Sequence, residues 1–170
     1  MNVRIIELSS GDLVNAFIRK GTAVEMPSIH EDWRFNFNKH IKEANTTAYV
    51  LVTKAARDTI EGCLLFQMKN KEVPYMSYVE IAPHNKGNDR IYDYVAGCLI
   101  AFAYQQSLIR GQNDYKGMLF FDVLEEKKED QIKLMSLYSK KYGAKRYDGT
   151  TMVIIDDDGY NLIQKYLKKI

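Results

Sequence analysis

The segment that most constrains this chain runs from Val73 to Leu124. Val73–Ala82 is a β-prone run. Pro83–Arg90 (PHNKGNDR) is turn chemistry. From Asp93 to about Ile109 the pattern is helical, with Val95, Ala96, Leu99, Ile100, Phe102 and Ala103 leaving almost no polar face, so this helix must be covered on more than one side. Lys116–Leu124 then holds the unbroken apolar run Met118–Phe121, which suits an interior strand. A strand, a buried crossover helix and a second interior strand make a right-handed β-α-β unit with parallel strands. The remainder of the chain must cover both faces of that pair.

The flanking segments supply material for this. Val3–Leu8 reads as a strand ending at Ser9-Ser10-Gly11. Asp12–Arg19 carries Leu13, Val14, Phe17 and Ile18, which is helical spacing. Ser28–Glu31 has the form of a capping box, and Trp33, Phe37, Ile41 and Ala44 recur behind it at helical steps, so a helix is expected over about Ile29–Ala44. Ala48–Thr53 and Ile60–Lys69 form a hairpin across a polar turn. In the third strand, alternation puts Val73, Tyr75, Ser77, Val79 and Ile81 on one face, and Met76, Tyr78, Glu80 and Ala82 on the other. Glu125–Tyr142 is helical and closes at Gly143. Ala144–Tyr147 and Thr151–Ile155 pair across Asp148-Gly149, and a last helix covers about Asp157–Leu167. The fold class is mixed α/β: a central mixed sheet with helices on both faces. The expected order is β-α-α-β-β-β-α-β-α-β-β-α.

Bulk properties exclude several classes. The 170 residues, 46% hydrophobic and 27% charged, suit one globular domain over residues 1–170. A net charge of +2 gives no basic surface for nucleic acid or membrane. The densest basic cluster, Lys165, Lys168 and Lys169, reads as a helix end. Cys63 and Cys98 sit in apolar runs without a C-x-x-C pair, and His30, His40 and His84 lack metal-ligand spacing, so no metal is expected. The start of the chain lacks the pattern of a signal peptide, and no run spans a bilayer. A cytoplasmic location is expected. Oligomeric state is not legible; a homodimer is compatible.

Two stretches carry a family resemblance. Glu80-Ile81-Ala82-Pro83-His84-Asn85 resembles the end of the cofactor strand of GNAT acyltransferases, in the form of a bacterial branch that follows an E-x-A-P-H-N run with an extended loop. The Q/R-x-x-G-x-G/A loop of that superfamily finds its best register at Ile91–Ala96, then Gly97. Ala96 takes the last small position, and Tyr94 stands in place of the first glycine. Leu137–Lys145 (LYSKKYGAK) resembles the family's F/L-Y-x-x-x-G-F ending, with Tyr138 or Ser139 in the place of the tyrosine near the CoA sulfur.

The resemblance covers about Ala48–Ile155 and implies a GNAT-like acyl-CoA N-acyltransferase fold. It implies acetyl-CoA as co-substrate, bound by Ile81, Ala82, Pro83, Tyr92, Asp93, Tyr94, Val95, Ala96 and Gly97, with the acetyl group passing directly to an amine of a small molecule or peptide. Small residues at a helix start let backbone N–H groups approach phosphate. Glu80 is the candidate base, against the alternative of a structural ion pair. Tyr138 is the candidate acid, against the alternative of a core tyrosine on the stripe of Met135 and Tyr142. Trp33 and Phe37 share a helical stripe and read as core, so Phe35, off that stripe, is the better acceptor-pocket residue. The alternative function is a GNAT-fold binding or interaction module that has lost catalysis.

Overall fold

In the computed structural model, which describes residues 1–168, the strands are β1 (Asn2–Glu7), β2 (Leu13–Lys20), β3 (Thr46–Thr53), β4 (Gly62–Lys69), β5 (Val73–Ile81), β6 (Tyr92–Asp93), β7 (Leu119–Asp122), β8 (Lys145–Asp148) and β9 (Thr151–Ile154). They form one sheet in the order β6-β1-β2-β3-β4-β5-β7-β9-β8. Every neighbouring pair is antiparallel except β5 and β7, which are parallel. The helices are α1 (Phe37–His40), α2 (Val95–Arg110), α3 (Lys128–Tyr142) and α4 (Asp156–Leu162). A π-helical turn over Ile163–Leu167 extends α4. Lys169 of the basic cluster lies outside the described residues.

The sheet separates two cores. On one face α2 lies across the sheet with ten of its residues buried, Leu99, Ala101 and Ala103 completely. Tyr142, at the end of α3, and the segment Leu162–Leu167 complete this core. Helix α3 ends as expected: Gly143 caps it in the left-handed region at φ 69°. On the other face the core is smaller. Trp33 and Phe37, ring centroids 5.7 Å apart, pack over Val50, Val52, Cys63 and Leu65.

Three expectations are corrected. Asp12–Arg19 is not a helix, because Leu13–Lys20 is strand β2, paired with β1 and with β3. Ala16 and Ile18 face the α2 core while Phe17 faces the other, so apolar residues occur on both faces and mimic a helical stripe. The long helix over 29–44 is also absent. Its capping box does form: the Ser28 N–H donates to Glu31 Oε2 at 2.9 Å, and the His30 N–H to Ser28 Oγ at 3.3 Å. The chain turns away after one 3-10 turn, with Asp32 left-handed at φ 63°, and four-residue α1 follows. The second face is therefore covered mainly by irregular chain.

The third correction concerns β5. Leu65 opposes Tyr78 but Phe66 opposes Met76, so Ser77 is an extra residue, a β-bulge. The bulge resets the alternation. Met76 joins Val79 and Ile81 toward α2, while Tyr78, Glu80 and Ala82 face the irregular chain.

Gly97 lies directly under the ring of Tyr166, close enough that a β-carbon would overlap it. Gly97→Ala is expected to cost about 1–3 kcal/mol by overpacking. The check is a lower denaturation midpoint at unchanged slope.

Candidate active site

Strands β5 and β7 pair at one position, Tyr75 with Phe120. Beyond it they part. The edge of β5 from Met76 to Ile81 therefore has no ladder on the β7 side, and the gap opens into a cavity of about 500 Å3. Its walls differ on the two sides of the sheet. On the α2 side they are apolar: Met76, Val79, Ile81, Ala96, Ile100, Phe121, Val123, Leu134 and Tyr138. On the other side they are charged and aromatic: Arg34, Phe35, Glu43, Tyr78, Glu80, Lys86 and Glu125, with Tyr75 and Asp122 placed there by alternation.

Glu80 is 7% exposed, and both oxygens of its carboxylate accept hydrogen bonds. The Arg34 N–H donates to Oε2 at 2.9 Å, the Phe35 N–H donates to Oε1 at 3.0 Å, and the Lys86 ammonium lies 2.5 Å from Oε2. Glu80 thus stitches the irregular chain at 34–35 onto β5. That stitch presents Phe35 to the cavity, 5.1 Å from Tyr78 by ring centroids, while Trp33 and Phe37 stay in the core. Arg34 reaches across to Glu125 on the far lip at 2.8 Å. His40 stacks on Tyr78 at 4.3 Å and lies 2.6 Å from Glu43.

Asp122 closes the narrow end of the gap. Its carboxylate accepts hydroxyl donors from Tyr75 on β5, from Thr151 at 2.7 Å and from Thr150 at 3.0 Å. Burial alone would raise its pKa, but these donors outweigh burial and leave it below the usual carboxylate range. Burial, with the same Asp122 as partner, pushes the Tyr75 hydroxyl up. Tyr138 lines the apolar half, its ring 4.8 Å from Phe121, while neighbouring Ser139 is exposed. Burial pushes the Tyr138 hydroxyl up, so it is a neutral O–H donor at ordinary pH.

Of the nine residues expected to bind cofactor, Ile81 and Ala96 reach the cavity wall. Ala82 is buried on the opposite face, and Pro83 opens a 3-10 turn. That turn is locked. Asn85 Nδ2 donates to the buried Glu61 carboxylate at 2.8 Å, Asn85 Oδ1 accepts the Tyr92 N–H at 3.0 Å, and His84 Nε2 lies 2.5 Å from Glu61 Oε2. Tyr92 and Asp93 pair with Glu7 and Ile6 of β1 as the edge strand β6. Tyr94 caps α2 in the left-handed region at φ 73°, uncommon for a residue other than glycine. Its N–H donates to Asp93 Oδ1 at 2.7 Å. Val95 and Gly97 are buried.

For acetyl-CoA, the co-substrate that the sequence resemblance implies, two features of the chain are relevant. The apolar half and the open edge of β5 suit a thioester arm. The first turn of α2 has no side-chain cap, and Lys165, beside the Tyr166 ring that covers Gly97, adds a cation near a helix start that favours anions. Asp93 at the same place opposes them.

No protein-family model and no curated protein matches the chain. Solved structures do. AtaTR bound with acetyl-CoA superimposes with a TM-score of 0.57 at 15% identity, covering 87% of this chain and 98% of that one. A variant of the spermidine N-acetyltransferase SpeG from Vibrio cholerae gives 0.57 at 16%, covering 86% and 96%. A protein of the GNAT family from Desulfovibrio desulfuricans gives 0.51 at 12%, covering 82% and 96%. The chain therefore has the GNAT acyltransferase fold.

Two outcomes follow from the geometry. Glu80→Ala leaves the part-buried N–H groups of Arg34 and Phe35 without their acceptor. Hydrogen exchange at the Arg34 and Phe35 amides is expected to accelerate, and stability to fall by about 2–4 kcal/mol. Asp122, with its folded pKa depressed, contributes stability that is complete above the ordinary carboxylate value of about 3.9 and is lost as pH falls through the lower folded value. Asp122→Asn is expected to be less stable near neutrality and to lose stability less steeply in that acid window, read from denaturation curves at several pH values.

Proposed function

We propose that the chain is an acetyl-CoA-dependent N-acetyltransferase acting on a cationic amine of a small molecule or peptide. The observation that carries this reading is the single cavity through the sheet, apolar on one side and charged and aromatic on the other. Direct transfer needs a dry pocket for a thioester and a polar pocket for an amine, meeting at one gap. The fork between β5 and β7 joins two such halves.

Acetyl-CoA supplies the activated acetyl group. The residues of the chain do the rest. Met76, Val79, Ile81, Ala96 and Ile100 hold the apolar arm and exclude water. Backbone N–H groups on the unladdered edge of β5 would stabilise negative charge developing on the acyl oxygen, an effect commonly worth about 10²–10³ in rate. Glu80 takes the proton of the attacking amine, directly or through water, with the lone pairs that Arg34, Phe35 and Lys86 leave to it. Tyr138 returns a proton to the leaving thiolate. Such acid–base groups each contribute roughly 10²–10⁴.

The acceptor half favours a cation. Its carboxylates, Glu43, Glu80, Asp122 and Glu125, outnumber Arg34 and Lys86, and Phe35 and Tyr78 offer π faces to an ammonium group. A fold relative that acts on spermidine is consistent with this preference.

The second reading, a GNAT-fold binding module without catalysis, is favoured by one feature: the Glu80 carboxylate already satisfies three donors. One experiment separates the two. Millimolar acetyl-CoA is expected to raise the melting temperature by mass action, and thiol is expected to be released across a panel of primary amines. Tyr138→Phe should lower kcat by about 100-fold or more with the KM for the amine little changed. A melting shift without thiol release would favour the binding module, and the absence of any shift would sink the transferase reading.

A further inference from the structure

A second pocket, of about 490 Å3, opens where the C-terminus of α2 meets the start of β3 and the β4–β5 turn. It is polar and shares only Glu43 with the cavity described above. We propose that it is a binding site for a small oxyanion, a carboxylate or phosphate group, with Arg110 as its anchor. The proposal is independent of the acetyl-transfer reading.

Arg110 is the last residue of α2 and is half-buried. Its guanidinium lies 5.0 Å from the centre of the Phe66 ring, and one of its five N–H donors meets the Thr47 hydroxyl at a long 3.4 Å. Among the described residues it has no carboxylate within ion-pair distance. A guanidinium fixed by an aromatic face has already lost most of its side-chain entropy, and its remaining donors form a planar fork suited to two oxygens. Arg110 is half-buried, so the remaining donors of the anchored fork are open to the polar pocket and available to a ligand with two oxygens.

The surroundings agree. Lys71 lines the same pocket, also without a carboxylate partner, and is held in the tight β4–β5 turn where Asn70 and Lys71 are both left-handed, at φ 52° and 61°. Gln112 and the Thr46 hydroxyl add neutral hydrogen-bonding groups. One acid is present, Glu43, which is 2.6 Å from His40. The negative pole of α2 works against an anion at this end, and Arg110, fixed at that pole, offsets it. The pair of cations then leaves the pocket net positive.

The test is titration of the intact protein with inorganic phosphate and, separately, with malonate, followed by NMR of the backbone amides and the arginine side-chain N–H. Saturable shifts are expected at Thr46, Thr47, Lys71 and Arg110, with a dissociation constant on the order of millimolar. Arg110→Gln should weaken binding at least about tenfold. Lys71→Gln, at an exposed turn residue that cannot disturb the core, should weaken it several-fold. A response to one anion alone would support the site and identify the oxyanion it takes. No saturable shift at about 50 mM of either anion would overturn the proposal, since that is far above the millimolar range. So would shifts that persist unchanged in both variants.

Discussion

A parallel strand pair held at one position is a weak joint, and the rest of this molecule is arranged around it. Tyr75 and Phe120 make the only ladder contact between β5 and β7. Each strand is instead secured on its other flank, β5 by an eight-position pairing with β4 and β7 by four pairs with β9. Beneath the gap, α2 packs against β4, β5 and β7 together. At its narrow end, the Tyr75 hydroxyl and Asp122 join the two strands by a side-chain hydrogen bond where the backbone ladder stops. The bulge at Ser77 turns Met76 into the α2 core and Tyr78 and Glu80 to the other side. The gap thus acquires two chemically different walls from one strand.

Much of this was legible because it rests on local pattern. The all-round apolarity of Val95–Ala103 demands a covered helix, and the unbroken run at Met118–Phe121 demands an interior strand. Together these fix the β-α-β unit. Gly143 closes α3 in the left-handed conformation that its place after a helix suggests. Phe35, out of step with Trp33 and Phe37, reaches the cavity that they do not.

What was not legible depends on partners far away in the chain. The stripe Leu13, Val14, Phe17, Ile18 fits a helix or a strand covered on both faces; only pairing with β1 and β3 decides. The capping box at Ser28–Glu31 is genuine chemistry, but Glu80, more than forty residues on, takes the N–H groups of Arg34 and Phe35. A helix through that point would need those same N–H groups for its own carbonyls. Gly97 reads from sequence as a place for close approach. The approach that occurs is that of Tyr166, a ring nearly seventy residues later. Asp122, hidden in an apolar run, gives no local sign that three hydroxyl groups will converge on it.

Glu80 joins these threads. A buried carboxylate is tolerable only when its charge is met by donors, and here two of the three, the Arg34 and Phe35 N–H groups, belong to the loop on the charged side of the cavity. Removing the carboxylate takes the acceptor from the Arg34 and Phe35 N–H groups and loosens with them the bridge from Arg34 to Glu125 that crosses the cavity mouth. In the proposed reaction, a cationic amine arriving beside Glu80 would meet a carboxylate already oriented by fixed backbone dipoles, so little reorganisation would remain when its charge is redistributed. On that reading, the group that shapes the charged half of the cavity also reads the charge of what enters it.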